Sequence, residues 1–454
     1  MKPKRQMITK IGIVILWVFL WQLLACLIGN PLLFASPVKT GETLFELVRT
    51  APFWQSVSES LVRIGAGFLL GFLIACILAL AAYKLPFLES FLAPVITLMK
   101  AVPVASFVVM LLIWWGSVFL SVAICFLVVL PIIYINVLEG LKNADWQLLE
   151  MAEVFNISFR NRFFYIHRPA LKPFVASGLK LALGLCFKAG VAAELIGTPD
   201  GSIGEQLYLS KIYLDTAGVF AWTIVVILLS VGFEKLILQA AEWMFDREPF
   251  CDPTAGDVKW ERRSGGNAKR ECFFTGDAVN GAETSIRLTD VTKAYGELVV
   301  LEHFDAVYEA GKTYELRSPS GSGKTTLLRL LAGLEKPDSG SIQPKIQCAY
   351  LFQEDRLCED YSAVKNVALV TGEEAGARNA LRRLLPEEAL DKPCRQLSGG
   401  MKRRVALVRA MEARADCVLL DEPYTGQDEE NRAMMERYIE AEKGNRIVLI
   451  ASHI

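Results

Sequence analysis

One stretch of the sequence has the spacing of a phosphate-binding loop, G-x-x-x-x-G-K-[ST], and it follows the strand-like run 313–316. Glycines let the main chain curl so that its N–H groups face phosphate oxygens, and the next helix directs its positive end at them. Lys324 would reach the β and γ phosphates of a nucleotide, and Thr325 would ligate Mg²⁺. Ser318 stands where the pattern has its first glycine, so we expect strain in the first turn. The loop comprises Ser318, Pro319, Ser320, Gly321, Ser322, Gly323, Lys324, Thr325 and Thr326.

Two adjacent carboxylates, Asp421 and Glu422, follow the apolar run 417–420. An apolar strand that ends in this way places the first carboxylate near a metal ion and the second near the attacking water. The alternative is a buried strand capped by two solvated acids. Because a phosphate-binding loop lies upstream, we predict Asp421 as a metal ligand and Glu422 as the catalytic carboxylate.

Between these motifs, residues 397–404 read LSGGMKRR, and the segment opens a helix. This resembles the LSGGQ signature of ABC ATPases, with Met401 in place of glutamine. In that family the segment binds the nucleotide held by the opposite protomer, so the resemblance implies a dimer with two ATP molecules at its interface. An ordinary helix start with a serine cap is the alternative interpretation. The residues that would contact the nucleotide are Ser398, Gly399 and Gly400.

Four more residues resemble elements of the same family, in the same order. Tyr295 matches the aromatic residue that stacks on adenine, and Gln353 matches the glutamine that touches Mg²⁺ or the water. Asp428 resembles the aspartate of the loop after the carboxylates, and His453 matches the switch histidine that contacts the γ phosphate. The resemblance covers 285–454, and it implies that the usual C-terminal end of the domain is missing.

The elements that position these residues occupy only half of a chain of 454 residues. Of the first 245 residues 32 are charged, whereas 65 of the remaining 209 are charged. The first half is too apolar for an ordinary soluble domain, which excludes a single globular enzyme, a disordered protein and a small disulfide scaffold. The net charge of −1 gives no basic excess for nucleic-acid binding. Ten cysteines without a CxxC pair indicate thiols in a reduced compartment.

Six apolar runs in the first half are long enough to cross a bilayer as helices. The third run is interrupted at Lys100, Pro103 and Ser106, so we expect a broken helix there. Basic residues cluster at the N-terminus and in the long loop 139–173, which places both in the cytoplasm. The first run also fits a signal peptide, although cleavage would spoil this topology. The runs cover about 11–29, 58–82, 91–113, 117–138, 174–196 and 218–240.

The long cytoplasmic loop contains Glu150-Met151-Ala152, then Asn156, then the run Ile166 to Pro169. It resembles the coupling loop of bacterial binding-protein-dependent permeases, E-A-A-x-x-x-G…I-x-L-P, with Asn156 for glycine and Arg168 for leucine. An amphipathic helix, a tight reversal and a proline that ends the next helix would form a rigid projection from the membrane. Asparagine tolerates the left-handed conformation, so the reversal can persist. Residues 40–240 resemble the nitrate, sulfonate and taurine branch of these permeases.

Ionisable residues inside apolar runs indicate function because their burial in a membrane is costly. Lys100, Lys188 and Glu194 qualify. Lys188 and Glu194 do not share a helix face, so each needs a partner elsewhere. A cationic lysine on the transport route would suit an anionic solute, and snorkelling to the interface is the equally weighted alternative.

We therefore expect a multi-domain protein with a six-span α-helical permease over 1–245, similar to type I importers, a flexible linker over 246–284, and an α/β P-loop ABC ATPase over 285–454. The resemblance implies ATP and Mg²⁺ as cofactors, and a homodimer or a pairing with a related half-transporter. It also implies an extracytoplasmic solute-binding protein and a bacterial cell membrane location with the ATPase in the cytoplasm. The predicted function is ATP-driven uptake of a small anionic solute. Alternatives are an importer of a neutral pyrimidine-type vitamin precursor, an exporter, and a regulatory ATPase with impaired hydrolysis.

Overall fold

A computed structural model of the protein describes residues 2–30, 32–246, 285–319 and 321–452. These residues form two compact units. The N-terminal unit contains the residues up to Asn143 and those from Ala170 to Asp246. The C-terminal unit contains Ala144–Pro169 together with the residues from Ser285 onward. The segment Ala144–Pro169, which the sequence assigns to the permease loop, therefore packs with the residues of the predicted ATPase. Apart from Asp246, the predicted linker lies outside the described residues.

The N-terminal unit is built from helices, as its long apolar runs predict. Ser36 caps the second helix, because its hydroxyl accepts a hydrogen bond from the N–H of Lys39. The helices of this unit are α1 (Lys2–Ile28), α2 (Pro37–Val48), α3 (Ala51–Lys84), α4 (Pro86–Ala101), α5 (Val104–Lys142), α8 (Arg168–Gly197), α9 (Ile203–Ile212) and α10 (Thr216–Asp246).

Two breaks divide the central helices of this unit. The first lies at Val102 and Pro103, between α4 and α5, and it confirms the predicted broken helix. The second is Gly116 inside α5, with φ 72° and ψ −178°, a conformation that is essentially restricted to glycine. Gly116 lies in the gap between the predicted spans 91–113 and 117–138.

Three helices among the described residues are long and apolar enough to cross a membrane, namely Ala51–Lys84, Ser106–Lys142 and Thr216–Asp246. Gly12–Ile28 is a shorter apolar helix. The helix α8 covers another predicted span, but three charged residues (Lys180, Lys188 and Glu194) reduce its apolar character. The six-span topology therefore stays a prediction.

Small residues bring α3, α5 and α8 into close contact. A Cβ atom added at Gly67 of α3 would lie 2.5 Å from the carbonyl oxygen of Val122 on α5. One added at Gly190 of α8 would lie 2.8 Å from the Sγ atom of Cys125. Close approach of helix backbones at small residues is typical of membrane helix packing.

The C-terminal unit contains two sheets. An antiparallel sheet of order β2-β1-β4 pairs Ser285–Tyr295 (β1) with Leu298–Glu309 (β2) and Ser339–Gln343 (β4). A parallel sheet of order β3-β7-β6-β5 contains Thr313–Arg317 (β3), Cys348–Leu351 (β5), Cys417–Asp421 (β6) and Ile447–Ser452 (β7). The strands β5, β6 and β7 are almost continuously apolar and buried, as expected of a parallel sheet covered on both faces.

Parallel strands present their carboxyl ends at one edge of the sheet, which is where ligands bind in such folds. The phosphate-binding loop follows β3, Gln353 follows β5 and Glu422 follows β6, so the topology gathers the predicted site residues at this edge. The helices of the C-terminal unit are α6 (Trp146–Val154), α7 (Phe159–Arg162), α11 (Lys324–Leu331), α12 (Ala363–Thr371), α13 (Glu374–Leu381), α14 (Glu387–Leu390), α15 (Gly399–Glu412) and α16 (Glu429–Glu442), with a π-helical segment at Phe163–His167 and a 3-10 turn at Cys394–Gln396.

Candidate functional site

The phosphate-binding loop connects β3 to α11. Gly321 and Gly323 have φ values of 84° and 86°, in the left-handed region that glycine adopts without steric cost. Ser318 does not have a positive φ, so the strain expected at this position is absent. Its hydroxyl lies 2.5 Å from that of Ser322, and its carbonyl accepts a hydrogen bond from the Nζ atom of Lys324. The loop is therefore closed by its own polar side chains. Ser320 lies outside the described residues.

The two carboxylates at the end of β6 have different environments. Asp421 is only 2% exposed, and its Oδ2 atom accepts a hydrogen bond from the Tyr350 hydroxyl at 3.2 Å. Burial raises the pKa of Asp421, although hydrogen bonds from Thr325 and Tyr350 partly oppose this. Glu422 has φ 50°, an uncommon conformation for a residue other than glycine, and its N–H donates to the carbonyl of Ala451 at 2.9 Å. A buried carboxylate beside a hydroxyl is a suitable partner for a bound cation.

A cavity of about 260 Å³ joins the phosphate-binding loop to three residues from elsewhere in the chain, one of which is Val300. Gln353 and Glu422 line it together with the start of α11. Burial and a hydrogen bond to Glu335 raise the pKa of Tyr295, and a side-chain hydrogen bond with Thr326 partly opposes this, so Tyr295 also lies beside this loop. The structure thus brings together the predicted catalytic and phosphate-binding residues that it describes. The lining is formed by Val300, Gly321, Ser322, Gly323, Lys324, Thr325, Thr326, Gln353 and Glu422.

The remaining predicted residues do not line this cavity. Ser398 caps α15, because its hydroxyl accepts the N–H of Met401 at 3.3 Å, and Gly399 and Gly400 form the first turn of that helix. Asp428 caps α16 in the same way and accepts the N–H of Asn431 at 2.8 Å. Their binding of a nucleotide held by a second protomer stays a prediction. His453 lies outside the described residues.

Arg403, on α15, is a residue beside the site that no sequence motif indicated. Its side chain is buried, and its Nη1 atom donates to the carbonyls of Phe352 at 2.6 Å and Gln353 at 3.1 Å. Its Nη2 atom donates to the carbonyls of Asp421 and, at 2.9 Å, of Glu422. One guanidinium therefore ties together the segment of Gln353 and the segment of Glu422, which follow the neighbouring strands β5 and β6.

A second buried arginine of α15 holds the same segment further along. Arg409 is fully buried and donates to the carbonyls of Arg356 at 2.7 Å and Asp355 at 3.0 Å. Burial lowers the pKa of Arg409 to about 10. Both arginines lie in a helix that is buried on most sides, at 403 and 405–411, and buried arginines need polar partners.

The predicted coupling loop packs within the C-terminal unit. It forms α6, a reversal at Asn156 with φ 50°, α7, and the π-helical segment Phe163–His167. The left-handed asparagine confirms the expected reversal. The expected proline stop is wrong, because Pro169 is the second residue of α8, and the helix continues to Gly197. The chain is already helical before it, from Phe159 through the π-helical segment Phe163–His167, and that wider turn relaxes the i→i−4 hydrogen bonding that a proline interrupts.

Glu150 of α6 is held by two arginines. The Nη2 atom of Arg329 lies 2.6 Å from Oε1, and Arg356 donates to Oε2. Burial acts to raise the pKa of Glu150, but the hydrogen bonds and charges of these arginines outweigh it and hold the pKa below its ordinary value. Arg356 also lies over the rings of Phe352, at 3.7 Å, and Trp146, at 5.6 Å. The first acidic residue of the coupling-loop pattern is thus an ion-pair anchor, which we call the Glu150 anchor.

The N-terminal unit contains a buried carboxylate of another kind. Glu194 on α8 is fully buried, and its Oε2 atom accepts the Ser60 hydroxyl at 2.6 Å and the N–H of Gly204 at 3.4 Å. The Ser60 oxygen in turn accepts the N–H of Ile203 at 2.9 Å. The predicted need for a partner on another helix is confirmed for Glu194, and we call these four residues the Glu194 cluster. Lys100 and Lys188 are exposed, and neither forms an ion pair with a residue that the structure describes.

The chain matches two known families. The family described as ABC transporter matches residues 301–425. The family described as the inner membrane component of binding-protein-dependent transport systems matches residues 67–237. Each match falls in a different half of the sequence, and each agrees with the composition of that half.

Several curated proteins are similar to the C-terminal half. The aliphatic sulfonates import ATP-binding protein SsuB 1 of Paraburkholderia xenovorans (strain LB400) is 41% identical over 173 residues, which are 36% of this chain and 51% of that protein. SsuB 3 of Rhodococcus jostii (strain RHA1) is 38% identical over 172 residues, covering 37% of this chain and 64% of that protein. SsuB 3 of Paraburkholderia xenovorans (strain LB400) is 38% identical over 165 residues, 36% of this chain and 67% of that protein. The chain thus spans about half to two thirds of the length of these relatives.

A solved dimeric ATP-binding cassette in a post-hydrolysis state, bound to ADP and Pi, is 25% identical to the part of this chain that it matches. The match covers 37% of this chain and 88% of that one, with a TM-score of 0.35. On the family matches and the identities to the curated relatives, this chain belongs to the ABC transporters, and it joins a binding-protein-dependent inner-membrane component to an ABC ATP-binding domain in one polypeptide.

Proposed function

We propose that this chain is one half of an ABC importer that hydrolyses ATP to drive the uptake of a small anionic solute. The observation that carries this proposal is the cavity that joins the phosphate-binding loop to Gln353 and Glu422. Its position at the carboxyl edge of a parallel sheet is the position of nucleotide sites in related folds.

The donor groups around the cavity suit an ATP molecule with Mg²⁺. The start of α11 offers main-chain N–H groups and the ammonium of Lys324 to phosphate oxygens. Thr325, Asp421 and Gln353 would hold Mg²⁺, since hydroxyl, carboxylate and amide oxygens are the ligands that this ion prefers. When bound, Mg²⁺ neutralises charge on the phosphates. Tyr295 beside the loop would stack on the adenine.

We assign to Glu422 the role of general base for the attacking water. Its carboxylate would accept a proton as the water oxygen bonds to the γ phosphorus, and the bond between that phosphorus and the β–γ bridging oxygen breaks to release ADP and phosphate. Lys324 and the N–H groups of the loop would stabilise the charge that develops on the phosphoryl oxygens. Arg403 would keep Gln353 and Glu422 at a fixed separation by holding their main chains.

We infer that a second copy of the chain, or a related half-transporter, completes the transporter. Ser398, Gly399 and Gly400 form a helix start that does not line the chain's own cavity, and such a start binds anions. We assign it to the nucleotide of the partner, with Asp428 at the same interface and His453 at the γ phosphate. Closure of the two ATPase domains on nucleotide would move the coupling segment, Ala144–Pro169, because the Glu150 anchor ties it to the ATPase, and this movement would expose the transport pathway.

For the solute we propose an anion such as an aliphatic sulfonate, delivered by an extracytoplasmic binding protein. The curated relatives of the ATP-binding half are named as aliphatic sulfonates import ATP-binding proteins, and the exposed Lys100 and Lys188 supply positive charge on the helices. We place the chain in the bacterial cell membrane with its N-terminus and ATPase domain in the cytoplasm. The basic residues of the coupling loop favour this orientation.

The hydrolytic part is tested by measuring ATPase activity of the purified protein beside Glu422→Gln. We expect the variant to lose activity by about 10²- to 10⁴-fold, the range of general-base catalysis, while it still binds ATP. Equal rates for both proteins would contradict the assignment of Glu422 and would favour a regulatory ATPase.

The transport part is tested in vesicles that carry the protein in their membrane and ATP inside. Radiolabelled ethanesulfonate and the solute-binding protein encoded beside this chain are added outside. We expect ATP-dependent uptake, reduced by Lys188→Gln. Lys235→Gln on α10 is the matched control, because Lys235 is also exposed on an apolar helix. Equal uptake by both lysine variants would remove Lys188 from the pathway, and efflux from inverted vesicles would indicate an exporter.

A further inference from the structure

A continuous line of polar contacts runs from Tyr295 to the coupling segment. The Tyr295 hydroxyl donates to one carboxylate oxygen of Glu335. The Nε atom of Arg329 donates to the other oxygen at 2.6 Å, and its Nη2 atom donates to Glu150 at 2.6 Å. All four residues belong to the C-terminal unit.

The central arginine lies on the helix that begins at the phosphate-binding loop, five residues after Lys324. Its side chain is 23% exposed, and those of Glu335 and Glu150 are 19% and 15% exposed. Ion pairs with this degree of burial are screened less than surface pairs. Burial acts to raise the pKa of Glu335, but the hydrogen bonds of Tyr295 and Arg329 hold it below its ordinary value. The carboxylate is therefore charged at neutral pH.

We propose that Glu335 is a positioning residue that links Tyr295, at the nucleotide site, to Glu150, on the coupling segment, through Arg329. The proposal rests on the proposed function, in which Tyr295 contacts the base of ATP. Glu335 is the one member of the four that forms hydrogen bonds with both the aromatic residue and the arginine, so the side-chain line between them runs through it.

The physical basis is competition for one guanidinium. Glu335 and Glu150 share Arg329, and a hydroxyl that donates to Glu335 reduces the negative charge that Glu335 presents to the arginine. When the Tyr295 ring moves to contact a base, the strength of its hydrogen bond to Glu335 changes. The attraction between Glu335 and Arg329 then changes as well, and so does the strength of the ion pair between Arg329 and Glu150. Such coupling is reciprocal, so docking of Glu150 must change the affinity for ATP.

The chain supplies a matched control for this arrangement. The other arginine that holds Glu150, Arg356, also has a second carboxylate nearby, that of Glu354. That carboxylate is 3.5 Å away and 56% exposed, and it has no hydrogen bond to Tyr295 among the described residues. Glu354→Gln therefore removes the same charge beside the same anchor without touching the line to Tyr295.

The test is a double-mutant cycle between the two ends of the line, measured on the full-length protein. Tyr295→Phe keeps the ring and removes only the hydroxyl, and Glu150→Gln keeps the shape and removes only the charge. The dissociation constant for ATP is measured by isothermal titration calorimetry in EDTA, where hydrolysis does not interfere. We expect the effects of the two substitutions to deviate from additivity by roughly threefold, in the range of couplings through networks.

The cycle is repeated in two backgrounds. We expect the threefold deviation to persist with Glu354→Gln and to disappear with Glu335→Gln. A general loss of folding would weaken ATP binding in every variant without removing the deviation in one background alone. Additive effects in the wild type, or a deviation that survives Glu335→Gln, would overturn the role of Glu335.

Hydrolysis is measured separately on the same wild-type protein with Mg²⁺. A protein that shows the deviation in ATP binding but no hydrolysis contradicts the proposed function and leaves the role of Glu335 intact. A protein that hydrolyses ATP and shows additive binding effects contradicts only the role of Glu335.

Discussion

The Glu194 cluster and the Glu150 anchor hold similar carboxylates by different physical means. Glu194 accepts a hydroxyl and a main-chain N–H within helices that touch through small residues, and no arginine or lysine forms a hydrogen bond or an ion pair with it among the described residues. Glu150 is clamped by the guanidinium groups of Arg329 and Arg356. The first arrangement depends on short-range packing, and the second depends on charge. We therefore expect the first to be sensitive to side-chain volume and the second to salt and pH.

The largest effect is expected from volume in the Glu194 cluster. A Cβ atom at Gly204 would lie 2.3 Å from the main chain of Glu194, so Gly204→Val must displace backbone. We expect a loss of about 3 kcal/mol in stability, the upper end for overpacking. Thermal unfolding in detergent measures this. Gly184→Val is the control, because a Cβ there meets no atom within 4 Å. Equal loss from both substitutions would show that close packing is not the cause.

The next effect comes from removing the acceptor of the same cluster. Glu194→Leu leaves the Ser60 hydroxyl and the N–H of Gly204 without their acceptor, and an unsatisfied buried donor costs about 1–3 kcal/mol. Glu194→Gln keeps an oxygen acceptor, so we expect it to lose much less. For each of the two variants, the difference in melting temperature from the wild type should be the same at 0.05 and at 1 M NaCl. A strong salt dependence would place a charge interaction in this cluster.

A smaller effect is expected at the Glu150 anchor. Glu150→Gln removes the charge that both arginines share, and we expect a loss of about 1.5 kcal/mol, the scale of a hydrogen bond to a charged group. Unlike the effect at Glu194, it should shrink in 1 M NaCl, because salt weakens the ion pairs of the wild type. Differential scanning fluorimetry at two salt concentrations measures the difference, with Glu354→Gln as the control. A loss that is independent of salt would argue for packing instead.

The smallest effect is the pH dependence of the stability difference between the wild type and Glu150→Gln. The pKa of folded Glu150 is below its ordinary value, so its stabilisation is fully present above the unfolded pKa of about 4.3. It is lost as the pH falls through the folded pKa. The unfolding temperatures of the wild type and Glu150→Gln should therefore differ by a constant amount above about pH 5 and approach each other as the pH falls from the unfolded pKa through the lower, folded pKa. Curves that stay parallel to the lowest pH would show that Glu150 keeps its ordinary pKa.

Local patterns in the sequence predicted much of this molecule. The phosphate-binding loop, Glu422 and Gln353 were assigned from their neighbours in the chain, and the topology of the parallel sheet brings them to one cavity. The reversal at Asn156 and the break at Pro103 followed from the conformational limits of single residues. These features depend on few neighbours, which is why a single sequence suffices.

The features that the sequence did not predict depend on partners far apart in the chain. Arg329 meets Glu150 across 179 positions, and Arg403 reaches main-chain atoms about 50 residues before it. No local pattern contains both partners. The expected stop at Pro169 was wrong because a π-helical segment at Phe163–His167 lets the helix run past the proline, and no local pattern in the sequence indicates that segment.

The contacts of Arg403 and Arg409 have a consequence for how this protein can evolve. Except for the Asp355 carboxylate, which lies 3.2 Å from Arg403, both guanidinium groups bind carbonyl oxygens. Every amino acid supplies the same carbonyl, so these hydrogen bonds place few demands on side-chain identity along residues 352–356. Mutations there can change the side chains that the site presents to a nucleotide while the hydrogen bonds that fix the path of the main chain are retained.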